Sequence, residues 1–280
     1  MMRSRSLLAA AALAVSLPVN VAAQSWRTVT MSRQESGESD LDVQIRYGAG
    51  RFTVGPAEEG LLYRMQLRYD EDTFEPVSDF DGRRLRLGVE GRGDGIRIGK
   101  NRSGGEMEVE LARDVAMDLD LEFGAVRADL DLGGLALTDL TLSTGASESV
   151  VDVSEPNPAA MRRASFEVGA ADFTARHLGN LNARNIEVDA GVGEVTLWFN
   201  GRWQQDGAVA VNMGLGSLEL RFPEGLGVRL TKKSFLSSLD SEGLVKRGDA
   251  YYSLDWETAQ RKVTVDLEAA FGSVRVVWVR

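Results

Sequence analysis

One short pattern returns along residues 119–222, reading LDLEFGAVRADLDL, LTLSTGASESVVDV, ASFEVGAADFTARH, IEVDAGVGEVTLWF and VAVNMGLGSLELRF. Anchored on Gly124, Gly145, Gly169, Gly191 and Gly214, its steps are 21, 24, 22 and 23 residues. A fixed step of this size marks a repeat architecture, in which each unit buries its apolar face only against its neighbours. Two further windows align with it, YGAGRFTV on Gly48 and EAAFGSVRVVW on Ala270.

The columns of this alignment predict strands. Three residues before the anchor stand Ile45, Leu121, Leu142, Phe166, Val188, Val211 and Leu267; five before it stand Val43, Leu119, Leu140, Ala164, Ile186, Val209 and Val265. Both columns are apolar with a period of two. Past the anchor the parity changes, and the inward columns become Phe52, Ala128, Ser149, Phe173, Val195, Leu218, Val274 and Val54, Leu130, Val151, Ala175, Leu197, Leu220, Val276. One residue of slip turns every side chain of a strand over, so the change is expected at a corner. Gly48, Gly50, Gly124, Gly145, Gly169, Gly191, Gly193, Gly214, Gly216 and Gly272 are the expected corner residues, with positive φ available to glycine at the anchors. A phosphate-binding loop would need a helix after the glycines, and no helical pattern follows. The predicted fold is all-β, a single-domain β-solenoid of stacked ~22-residue repeats with hairpins capping both ends.

Residues 1–23 carry Arg3 and Arg5, an apolar run from Leu7 to Leu17 and the small residues Val21-Ala22-Ala23, the pattern of a secretory signal peptide. No later stretch has the length of a transmembrane helix; the run Val274 to Val279 is broken by Arg275. There is no cysteine, which excludes disulfides and a lipid-bearing cysteine. The formal charge is −10, and losing Arg3 and Arg5 makes it −12, so nucleic acid is not an expected partner. Residues 24–40 read as a polar leader, 41–105 as an N-terminal β cap, and 106–280 as the solenoid with a C-terminal hairpin cap.

Within the cap, residues 70–81 hold six acids, and 83–102 hold seven bases against Glu90 and Asp94. Antiparallel strands of opposite charge account for this, at roughly 0.2–1 kcal/mol per cross-strand pair. The functional alternative is a basic loop (Arg92, Arg97, Lys100, Arg102) presented to a polyanionic cell-wall polymer. Arg92-Gly93-Asp94 also forms an Arg-Gly-Asp triplet, and Gly-Asp-Gly is ordinary turn chemistry. Near the C-terminus FLSSLDSEGLVKRGDAYYSLDW has turn signals at Glu242-Gly243 and Arg247-Gly248-Asp249 and reads as closing hairpins.

The opening DLDVQIRYGAGRFTV, the repeats EVGAADF, DAGVGEVTLWF and NMGLGSLELRF, and the closing SSLDSEGLVKRGDAYY and VTVDLEAAFGSVRV resemble the toast-rack family. That family includes the extracytoplasmic part of LiaF-type envelope-stress proteins and many exported adhesin-type domains. The resemblance implies the fold and supplies no catalytic residues. LiaF-type members carry transmembrane helices; this sequence has a signal-peptide pattern instead.

Chemistry-bearing residues are sparse. His177 is the only histidine, at a strand end, and with no cysteine this leaves no Cys/His metal set and no cofactor motif. The outward columns are acidic, and Glu167 and Asp189 fall in successive rungs ~4.8 Å apart, where a pair of carboxylates could bind Ca²⁺ or work on a glycan. A solvated acidic face explains the same residues. Trp198, Trp203, Tyr251, Tyr252 and Trp256 offer either sugar stacking or strand-end and cap packing. The reading is an exported, periplasmic or extracellular, non-enzymatic binding, adhesin-like or stress-associated module whose partner is an envelope polymer or protein. A carbohydrate-active β-helix enzyme is the rival.

Overall fold

The computed structural model describes residues 25–92 and 104–280, so the segment read as a signal peptide lies outside it. The described residues form one sheet of sixteen strands and a short 3-10 turn, Leu178–Leu181. In chain order the first strands are β1 (Trp26–Gln34), β2 (Asp40–Pro56), β3 (Leu61–Asp70), β4 (Phe74–Phe80), β5 (Arg84–Gly91) and β6 (Gly105–Leu111). The stack proper continues with β7 (Ala116–Asp131), β8 (Leu137–Thr144), β9 (Glu148–Asp152), β10 (Met161–Arg176), β11 (Ala183–Trp198) and β12 (Gly207–Pro223). It closes with β13 (Gly227–Asp240), β14 (Leu244–Arg247), β15 (Ala250–Ser253) and β16 (Lys262–Val279).

Each long strand is one rung, bent at its glycine corner, and neighbouring rungs pair in parallel without a register slip across the bend. Val188 lies between Phe166 and Val211, and Val211 in turn beside Leu267. The four apolar columns are all buried, none more than 3 % exposed. The two halves of a rung face each other across that core: the rings of Phe166 and Phe173, on either side of one corner, lie 5.7 Å apart. Each such side chain stabilises by roughly 1.5–3 kcal/mol relative to exposure, so every rung depends on its neighbours for its core.

The third side of the coil is made of connecting turns, held by side-chain amides in place of a ladder. Buried Asn157 donates to the carbonyls of Leu137 and Leu181 and accepts from the amides of Leu137 and Ala159. Asn180 repeats this a rung later, donating to Val153 O and accepting from Arg202 N. Phe199, Phe222 and Trp278 stack along the same side, with centroids 4.8 and 5.8 Å apart.

Spatial order departs from chain order at both ends. β5 pairs with the leading half of β2 and β6 with its trailing half, so together they make a rung beside β2. β8 and β9 divide a rung in the same way between β7 and β10. At the other end β16 inserts between β12 and β13. Antiparallel strands cap the stack: β4 on β5, β3 on β6 with β1 outside β3, and the β14–β15 hairpin on β13. Residues 26–34 of the expected leader are thus an edge strand, and the expected boundary at 105 falls inside β6.

The corners need a correction. Positive φ occurs two residues after the anchor, at Gly193 and Gly216 (141° each) and at Gly50 and Gly272 (127° each), and not at Gly191 or Gly214. The anchors are glycine for another reason: a Cβ on Gly191 would lie 2.8 Å from Gly169 O, and one on Gly214 2.5 Å from Gly191 O. Val126, Ser147 and Ala171 hold the positive-φ column in other rungs without positive φ. The parity change therefore comes from the odd spacing of inward residues, such as Ala190 to Val195, and glycine only sharpens the bend.

Candidate functional site

The site lies where the end of β5 and the start of β6 come beside the corner of β2. The intervening segment with Arg97, Lys100 and Arg102, and Gly93 to Gly95 of the Arg-Gly-Asp stretch, lies outside the described residues. Arg92 is held in the β4–β5 region: its Nε is 2.8 Å from Glu75 Oε1, and its Nη1 donates to Glu71 O at 2.9 Å. Arg86 pairs with Asp79 across the same hairpin. The acidic and basic stretches meet strand to strand.

Three further arginines stand beside the loop ends. Arg51 and Arg127 are register neighbours in β2 and β7, and Arg68 on β3 reaches the same place through β6, where it pairs with Glu106. Glu106 Oε1 is 4.0 Å from Arg51 Nε, and Arg127 is paired with Glu148. The sequence held a signal for two of them, since Arg51 and Arg127 both fall three residues after an anchor. Arg68 had none, because β3 comes here only through the antiparallel cap. Beyond Arg127 the same column continues with Glu148, Asp172, Glu194, Ser217 and Ser273. The column thus divides into a basic N-terminal end and an acidic middle, an arrangement that like-charge repulsion across the ladder disfavours and that the ion pair at its boundary, Arg127 with Glu148, partly offsets.

Along the outer face, two residues before each anchor, runs a polar ladder. Arg46 pairs with Glu122 at 3.1 Å, and Lys233 with Glu268 at 3.1 Å. Glu167 and Asp189 are adjacent, as expected, yet each takes its donor from the opposite side: Ser143 Oγ donates to Glu167 at 3.1 Å and Asn212 Nδ2 to Asp189 at 2.7 Å. With the corner glycines this ladder borders an open groove of about 900 Å³ from Arg46 to Asp189. Among the described residues no cluster of three or more His, Asp or Glu is arranged to hold a metal ion.

His177 sits outside this region. Its Nδ1 is 2.6 Å from Asp152 Oδ1, and its φ of 54° places it in a tight connection. His177 itself is partly exposed, and the residue after it, Leu178, is buried. The aromatic residues are engaged in packing: Trp203 Nε1 donates to Phe199 O, Arg221 lies 4.2 Å over Trp198, and Tyr252 meets Trp256 edge-on.

Among the described residues no helix is long and apolar enough to cross a membrane. Among solved structures, a "putative cell adhesion protein from Clostridium sporogenes" is similar at 14% identity and TM-score 0.46, covering 91% of this chain and 100% of that one. A "putative adhesin" from Bacteroides fragilis is similar at 11% identity and TM-score 0.42, covering 90% and 97%. No curated protein matches the chain. The family model for the N-terminal domain of toast_rack, DUF2154, matches residues 21–175 and 163–221, most of the chain and the corner described above. The chain belongs to the toast_rack N-terminal domain family.

Proposed function

We propose that the protein is exported and works in the periplasm or extracellularly as a non-enzymatic, adhesin-like binding module of the cell envelope, holding an anionic envelope polymer at its N-terminal corner. The observation that carries this reading is the division of charge along one column, Arg51 beside Arg127 and then Glu148, Asp172 and Glu194. Arg92, Arg97, Lys100 and Arg102 in the adjoining segment add to the basic end of an otherwise acidic chain. A polyanion is drawn to that end and repelled from the rest, which orients the complex. Glycan cleavage would need the two carboxyls enclosed in one pocket, whereas Glu167 and Asp189 border an open groove, exposed and turned to different donors.

The test is co-sedimentation of the chain from residue 24 onward with purified cell wall over a range of salt. Replacing Arg92, Arg97, Lys100 and Arg102 with Gln should weaken association and flatten its salt dependence. Glu167→Gln with Asp189→Asn should leave it intact. Release of cleaved polysaccharide by the unmodified chain, lost in the double carboxylate variant, would replace this reading with a carbohydrate-active enzyme.

A further inference from the structure

At the C-terminal end of the stack the corner carries a row of exposed apolar side chains. Val192, Leu215, Phe271 and Leu236 stand in register across β11, β12, β16 and β13. They are 46 % to 65 % exposed and make up four of the six large apolar side chains exposed among the described residues. The corner itself does not require them, since Ala49, Ala125 and Ala170 hold the same column in earlier rungs. Glycine or alanine flanks Val192, Leu215 and Phe271 on both sides, so these side chains rise above nearly bare backbone. Single exposed apolar residues are ordinary, but four in one line mark a contact surface.

The columns beside the row indicate what it meets. On one side run Asp189, Asn212, Glu268 and Lys233, in that order from β11 to β13. On the other run Glu194, Ser217, Ser273 and Ser238. A two-fold axis across the row, between Leu215 and Phe271, reverses this order in a second copy and sets each column against itself. Lys233 then faces the partner's Asp189, and Glu268 faces the partner's Asn212. Val192 meets the partner's Leu236, Leu215 meets the partner's Phe271, and Glu194 meets the partner's Ser238. No like charges are opposed. A two-fold axis along the row would instead set Asp189 against the partner's Glu194, which repulsion disfavours. Lys233 is exposed, and its pair with exposed Glu268 is weak enough to let it reach across.

We propose that this row pairs two copies of the chain antiparallel about a two-fold axis between Leu215 and Phe271, with Lys233 of each copy against Asp189 of the other. Four half-exposed side chains fall well short of the ~800 Å² that each partner gives a standard interface, so the pairing is weak. At the dilution of a sizing column the chain is a monomer. The two basic N-terminal ends of the pair point apart, so a pair ties two polymer strands together; that consequence rests on polymer binding, and the pairing does not.

Sedimentation equilibrium of the chain from residue 24 onward, with no polymer present, makes the test. The unmodified chain should form dimers and nothing larger, with a dissociation constant on the order of 0.1–1 mM. Leu215→Ser and Phe271→Ser should each weaken pairing at least ~10-fold, with thermal melts checking that the variants are folded. Lys233→Glu and Asp189→Lys should each lose self-association, because each sets like charges against one another. Mixed in equal amounts, these two variants should pair with each other, since both facing contacts then join opposite charges. The proposal is overturned by no association at ~1 mM, by dimers unchanged in Leu215→Ser and Phe271→Ser, by open-ended species, or by a mixture that does not pair. Binding of the monomer to phosphatidylcholine vesicles, lost in Phe271→Ser, would also overturn it and assign the row to a lipid surface.

Discussion

A Cβ on Gly216 would stand 1.9 Å from the carbonyl oxygen of Gly193, one rung away. Gly216 also has φ 141°, a region other residues enter only at a cost of about 1–3 kcal/mol. Strain and collision act together at this position, and they are separable elsewhere in the stack. Gly216→Ala should therefore lose about 2–4 kcal/mol in urea unfolding. Gly214→Ala, with a Cβ 2.5 Å from Gly191 O and no positive φ, should cost less. Gly48→Ala meets nothing within 4 Å and should stay within ~0.5 kcal/mol. Equal losses at Gly48 and Gly216 would refute this account of the corner.

Asp118 stands between Asp42 and Asp139 in successive rungs. Its two neighbours have arginine partners, Arg84 for Asp42 and Arg162 for Asp139, and Asp118 has no ion pair among the described residues. Burial first, then the charges of Asp139 and Asp42, raise its carboxyl above the ordinary value. A raised carboxylate pKa means that the folded state holds its proton more tightly than the unfolded chain, so stability falls as pH rises through the interval between the two values. Asp118→Asn should therefore stabilise at pH 7, by ~0.2–1 kcal/mol for a surface like-charge contact. The gain should vanish in unfolding curves taken below the normal carboxylate range. A gain independent of pH would mean that the charge is not its cause.

Asn157 makes four bonds to backbone groups of three different connections while fully buried. Truncation leaves several of those groups unpaired at ~1–3 kcal/mol each, so Asn157→Ala should lose at least about 3 kcal/mol. Asn182, with one donated bond to Ala159 O at a half-exposed position, should lose about 1 kcal/mol on the same change. Thermal unfolding of the two variants decides whether the amides or the apolar rungs hold the third side closed.

What could be read from the chain and what could not divide by distance along it. Val188 and Val195 announced their burial because the period of two and the break between them are local, and the parallel register repeats that information in every rung. The insertion of β16 beside β12 left no trace, since its column matches any neighbour equally well. Positive φ falls at Gly193 and not at the anchor Gly191, a difference the sequence does not carry, because both are glycine and both closely approach a carbonyl of the neighbouring rung, Ala171 O and Gly169 O. Tyr47 read as one more inward residue. Its unpaired hydroxyl depends on Gly105, which pairs with β2 from far along the chain.

Lys232 occupies the core column of the last parallel rung, in register with Leu267, where every rung before it has an apolar side chain. Its Nζ turns to donate to Ser237 O at 2.7 Å, and burial lowers its pKa, so the charge is held there at some cost. The reason lies at the edge. β15 covers β13 only over Arg229 to Thr231, and from Lys232 onward the outer edge of β13 has no strand partner among the described residues. An inward-pointing charge is one way to keep such an edge from pairing with another chain. Lys232→Leu should extend the apolar column to the open end and convert a monomer into concentration-dependent dimers or larger species in light scattering behind a sizing column. Lys232→Arg should remain monomeric, because it keeps the charge. If the Leu variant stayed monomeric at high concentration, protection of that edge would have to come from the β14–β15 hairpin alone.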